Sequence, residues 1–150
     1  MRNGHFYLSP IKAALALETD HAVSLSRLLD EMAVTVDLAI VPCLGEGACH
    51  IRAETVKAGD LQDLPEGLDL LISNSHGIQR ARAIRAAHYQ TGFPADKVIG
   101  YSNRISIGYR GVVQTINDMA NAVMKPKLSG YKKIARKRLP LKPYECDKTI

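Results

Sequence analysis

Tryptophan is absent from this 150-residue sequence, and the aromatic share is only 5%. Whatever core forms must therefore be aliphatic. Cysteine is scarce as well: Cys43, Cys49 and Cys146 cannot pair completely, which excludes a disulfide scaffold and points to a reducing cytosol. No apolar run approaches the roughly 20 residues of a membrane helix. Met1–Pro10 has no apolar stretch after Arg2, so neither a membrane span nor a secretory signal is expected, and the location expected is cytoplasmic. Internal repeats and low-complexity blocks are missing. So are the phosphate-binding GxxxxGK[ST], the dinucleotide GxGxxG, the zincin HExxH and the GxSxG elbow. His5, His21, His76 and His88 fall in different segments with no triad visible by spacing, and His21, just inside a helix start, reads as surface. A self-contained catalytic apparatus is not expected.

What is present suits one globular domain: 46% hydrophobic and 23% charged residues. The net charge of +5 suggests nucleic acid until it is located. Met1–Met124 carries 11 basic and 13 acidic residues, whereas Lys125–Ile150 carries nine and two. All the excess positive charge lies in the last 26 residues. The expected organisation is an N-terminal extension (1–10), a domain (11–124) and a basic, flexible tail (125–150). Phosphates could contact the tail weakly and salt-sensitively. With only Tyr131 and Tyr144 to stack on bases, nucleic acid is not an expected partner.

Hydrophobic patterning predicts alternating strands and helices. The apolar run at Ala13–Leu17 reads as a strand buried on both faces. Asp20 is positioned to cap a helix over His21–Met32, where Leu25, Leu28, Leu29 and Met32 recur at helical spacing. Val34–Val41 is a second strand, stopped by Pro42. Cys43–Ala53 reads as a loop or short helix, and Glu54–Ala58 as a short strand. Leu68–Ser73 is another buried strand, followed by a helix over Ile78–Ala87 and a short extended piece before Gly92. Ile105–Ile107 is expected to be extended. A last helix with the stripe Val112, Ile116, Met119, Ala120 and Val123 should end at Pro126. The fold class is α/β, a Rossmann-like three-layer domain with a mainly parallel sheet.

In open α/β sheets ligands bind beyond the carboxyl ends of the strands. Asn74, Ser75, His76 and Gly77 occupy such a position: Asn or Ser could cap, His76 could donate a hydrogen bond, and Gly77 would permit close approach. A plain strand-to-helix turn explains the same residues. Gly108, Tyr109, Arg110 and Gly111 lead into the last helix, where Arg110 could hold an anion or make a structural ion pair, with Tyr109 packed on it. Cys43, Cys49 and His50 have neither the short spacing nor the second pair that zinc or iron–sulfur sites use, so no metal is expected.

Several pieces in order resemble the nitrogenase component 1 type oxidoreductases, in particular the C-terminal domain of the β-type subunit of the iron–molybdenum cofactor biosynthesis scaffold. They are KAALALETDHAVSLSRLLDEM (Lys12–Met32), AGDLQDL (Ala58–Leu64), DLLISNSHG (Asp69–Gly77), TGFP (Thr91–Pro94), IGYRG (Ile107–Gly111) and ANAVM (Ala120–Met124). The resemblance implies a Rossmann-like domain, one of three in a full subunit. Its partners would be sister domains, an α-type subunit and, for the full complex, an iron protein. It implies an iron–sulfur or iron–molybdenum precursor cluster for the whole assembly and none for this chain alone, because the family's cluster-binding cysteines lie in an N-terminal part. Asn74–Gly77, with Gly92, Phe93 and Pro94, would line a cleft, and Gly108–Gly111 would set the last helix. Gln90-Thr91, Ala95-Asp96-Lys97, the Cys43–Ile51 segment and the basic tail depart from the family's pattern. A stand-alone module binding a small anion at the strand-end loops is the alternative.

Overall fold

The computed structural model describes residues 6–9 and 11–138, with side chains through 125. Five parallel strands form one sheet: β1 (Lys12–Ala16), β2 (Thr35–Val41), β3 (Thr55–Ala58), β4 (Leu70–Ser73) and β5 (Ala87–Gln90), in the order β3-β2-β1-β4-β5. Three longer helices accompany them: α1 (Thr19–Glu31), α2 (Gly77–Ala83) and α3 (Gly108–Arg138). None of the described helices is long and apolar enough to cross a membrane.

Alternation along the strands sorts side chains between two cores. Ala13, Leu15, Ala39, Val41, Leu70, Ile72 and Tyr89 join Leu25 and Leu29 of α1 and Ile116, Met119 and Val123 of α3. Ala14, Leu38, Ile40 and Leu71 point the other way, against Leu64, Leu68 and Ala81 and Ile84 at α2. The sheet is thus buried on both sides, which is why β1, β2 and β4 read as continuous apolar runs. The register is continuous from Ala13↔Leu70 to Ala16↔Ser73 and from Leu70↔Ala87 to Ser73↔Gln90. It slips once, between Ala13 and Ala14 against β2.

Several boundaries differ from the sequence reading. Helix α1 begins at Thr19, with the first bond closed by the Ala22 N–H on the Glu18 carbonyl (2.8 Å), so Asp20 sits in the first turn rather than at the cap. Its carboxylate still favours the positive end of the helix dipole there. Helix α2 stops at Ala83, because Arg85 turns to φ 60° and the Ala86 N–H reaches back to the Ala81 carbonyl (2.9 Å). Ala87 then belongs to β5: pairing with β4 overrides the helical preference of an alanine-rich stretch. Ile105–Ile107 forms no strand, and both isoleucines are exposed. Helix α3 continues through Pro126, at the loss of one backbone hydrogen bond, and Val123 is the last buried residue among its described side chains. Leu8, expected in an extension, is fully buried in the larger core. The Cys43–Ile51 segment is also integrated: Ala48 and Ile51 are buried beside α1, and the Arg52 N–H donates to Ser26 Oγ at 2.9 Å. Residues 1–5, Pro10 and 139–150, with Tyr144 and Cys146, lie outside the described residues, as does the Tyr131 side chain.

Candidate functional site

Strand order determines where the cleft opens. From β1 the chain moves outward to β2 and β3, then returns to place β4 on the other side of β1. The connections after β1 and β4 therefore diverge, leaving a crevice at the carboxyl ends. A cleft of about 630 Å³ opens there. Its wall comes from Leu17, Glu18 and His21 after β1, from Val41 and Pro42 after β2, and from Gly59, Asp60 and Gln62 after β3. Asn74, His76, Gly92 and Phe93 complete it.

The loop after β4 is a compact polar knot. Asn74 Oδ1 accepts the His76 N–H (3.1 Å), while Asn74 Nδ2 donates to the Phe93 carbonyl (3.2 Å). The Ser75 N–H donates to the Pro94 carbonyl (3.0 Å), and the Phe93–Pro94 peptide is cis. Hydrogen bonding from Ser75, with help from Lys97, holds the exposed Asp96 carboxyl at about 2. These bonds tie the β4 loop to the GFP turn, so that Phe93 stands out at 90% exposure on a fixed backbone. Gly92 adopts φ +77° and lies so close to Leu17 and His21 that an added Cβ would be 3.3 Å from Leu17 Cδ2. Its N–H donates to the Tyr101 hydroxyl at 2.9 Å.

Asn74, His76, Gly92 and Phe93 thus meet at the cleft, with Ser75 and Gly77 buried just behind and Pro94 closing the turn. Two expectations change. No side chain caps α2: Asn74 serves the turn instead, and His76, at the N-cap position, offers an exposed imidazole without a cap bond. Gly77 does permit close approach, but of Ser73, whose Oγ and Cβ occupy the space a side chain would need. Gly108, Tyr109, Arg110 and Gly111 stand away from this cleft and form none of its wall. Gly108 takes φ +70°, Gly111 is pressed on the Ser106 backbone, and Tyr109 and Arg110 are exposed.

His21 corrects a further expectation. It is half-buried on the cleft wall, with Nε2 3.4 Å from Thr91 Oγ1, and burial lowers its pKa. Thr91 lies 70 residues away, so helical position alone could not reveal the contact.

The wall carries the carboxylates of Glu18 and Asp60 but no lysine or arginine, so it offers a small anion no charge complement. Nor does it supply a ligand set for a metal cluster. Among the described residues no three His, Cys, Asp or Glu side chains converge. Cys43 and Cys49 are exposed, and the Cys49 thiol donates to the Glu46 carbonyl (2.9 Å).

Comparison with known proteins agrees with this architecture. The family model described as nitrogenase component 1 type oxidoreductase matches residues 1–124. A nitrogenase iron-molybdenum cofactor biosynthesis protein NifN from Rippkaea orientalis is 36% identical over 123 residues, 80% of this chain but 27% of that protein. The NifN of Bradyrhizobium diazoefficiens is likewise 36% identical, over 130 residues, 83% of this chain and 28% of that protein. The chain therefore spans little more than a quarter of the length of these curated relatives. A solved structure titled nitrogenase Cp1 at pH 6.5 shares the fold with a TM-score of 0.75 at 24% identity, over 97% of this chain and 33% of its own. The chain belongs to the nitrogenase component 1 type oxidoreductase family.

Proposed function

We propose that this chain is one domain of a subunit that assembles the iron–molybdenum cofactor, of the C-terminal, β-type kind, and that its own contribution is structural. The observation that carries this reading is a cleft in the family's fold at which no three His, Cys, Asp or Glu side chains converge among the described residues. Similarity to proteins named for iron-molybdenum cofactor biosynthesis supports the process. A precursor cluster is here the cargo. Sister domains would provide its ligands, and an α-type subunit would complete the enclosure, with an iron protein serving the full complex. In that arrangement Leu17, Val41, Pro42 and Phe93 form an apolar wall that excludes water, and Asn74, His76 and Asp60 supply hydrogen bonds.

The test is anaerobic co-expression of the chain with a NifN-type N-terminal region and its α-type partner subunit. Co-purification as a stoichiometric complex is expected, with iron bound by the complex and none retained by this chain after reconstitution alone. A chain that remains a monomer in the presence of both would refute the reading.

A further inference from the structure

The described surface concentrates its apolar groups in one segment. Of the ten large hydrophobic side chains that are exposed, seven lie between Phe93 and Val113: Phe93, Val98, Ile99, Ile105, Ile107, Tyr109 and Val113. Ile99 is fully exposed, Tyr109 is 94% exposed and Ile107 86%. Isolated apolar residues on a surface need no explanation, but a concentration of this kind does.

The segment displays these side chains from a fixed backbone. Arg104 donates to the Gln90 carbonyl (3.3 Å), pairs with Asp118 of α3, and lies over the rings of Tyr89 and Tyr101 at 5.3 and 5.7 Å. Tyr101 accepts the Gly92 N–H, and Gly111 rests on the Ser106 backbone. The anchoring groups point inward, and the isoleucines between them are left outward. Most charges here are also neutralised locally, Arg104 by Asp118 and Lys97 by Asp96 at 2.9 Å, leaving the exposed Arg110 as the one charged side chain of the stretch without an ion pair among the described residues. Low net charge with rigid, protruding aliphatic and aromatic groups matches the core of a stable protein interface rather than a polyanion-binding surface.

The occupant follows from length. The chain corresponds to 27–28% of its relatives and to 33% of the chain that shares its fold, so in those proteins this unit adjoins two to three times its own mass of polypeptide. We infer that the Phe93–Tyr109 segment is the docking surface for that remainder: a charge-poor, apolar face of a neighbouring domain in the same kind of subunit. The inference rests on the assembly reading above and names the surface that reading requires.

The full chain, Ile99→Asp/Ile107→Asp and, as a control on a distant exposed apolar residue, Leu44→Asp would each be co-expressed with the part of the Rippkaea orientalis relative that this chain does not match. Circular dichroism of each variant alone checks folding, which substitutions at exposed sites should leave intact. The expected result is a complex whose amide exchange is slowed over residues 93–109, weakened at least tenfold by the double substitution and unchanged by Leu44→Asp. A complex indifferent to the double substitution and protected elsewhere overturns the surface while leaving the assembly role standing. No complex with either parent or variant overturns both. Self-association of the chain alone, abolished by the double substitution, would assign the surface to a second copy and overturn the inference.

Discussion

Gly77 meets a requirement that no larger residue can satisfy. Helix α2 begins so close to the end of β4 that an added methyl would collide with Ser73 Oγ and stand 2.8 Å from Ser73 Cβ. Gly77→Ala should therefore cost about 1–3 kcal/mol by overpacking. Adding Ser73→Gly should recover part of that loss, and paired denaturant titrations would show it. No recovery would place the clash elsewhere. The two half-buried histidines make a second statement at this scale. Burial lowers the pKa of His21 below 6.5, and burial does the same for His88, opposed by its hydrogen bond to Asn74. Well above pH 6.5 the rings are neutral in both folded and unfolded chains, and folding incurs no protonation cost. As the pH falls below 6.5 the unfolded chain takes up protons that the folded chain binds less readily, so stability falls until the folded-state pKa values are passed. The thermal midpoint should drop as the pH falls through 6.5, and His21→Gln/His88→Gln should flatten that slope. An unchanged slope would rule out these rings as its source.

Among the elements, the segment between β5 and α3 is the most instructive, since side chains rather than a ladder hold it. Arg104 and Asp118 are partly exposed, so their pairing should be modest: a double-mutant cycle with Arg104→Met and Asp118→Asn should give a coupling of about 1 kcal/mol. Tyr101→Phe should cost about 1 kcal/mol and speed exchange of the Gly92 amide, which loses its acceptor. If that amide exchanges no faster, the hydroxyl is not what orders the GFP turn. The same segment marks the limit of legibility. Strands β1, β2 and β4 were readable because burial on both faces demands continuous β-branched and aliphatic residues. The start of β5 was not, because Ala87 and His88 carry no strand preference and are recruited by the edge of β4. Ile105 and Ile107 suggested a strand by composition. Their conformation instead follows from Arg104 gripping Tyr89, Gln90 and Asp118, contacts of 14 and 15 residues' separation that no local pattern encodes.

At the scale of the whole molecule, alternation of strands and helices was enough for the fold class, but the order β3-β2-β1-β4-β5 was not readable. It depends on which edge of β1 receives β4. That choice also locates the cleft, so Asn74, Gly92 and Phe93 could be proposed as neighbours from family resemblance while His21, Glu18 and Asp60 could not. Charge divides the molecule differently from secondary structure. Helix α3 crosses Pro126 without a break, the last buried member of its stripe among the described side chains is Val123, and Lys125 begins the stretch that carries the whole positive excess. If the core ends where the stripe ends, a chain terminated after Lys125 should unfold within about 0.5 kcal/mol of the full chain. It should also lose retention on a heparin column, because residues 1–124 have two more acidic than basic groups. A loss of more than about 2 kcal/mol would mean that residues beyond Lys125 stabilise the domain, and that the boundary drawn from charge lies inside the folded unit.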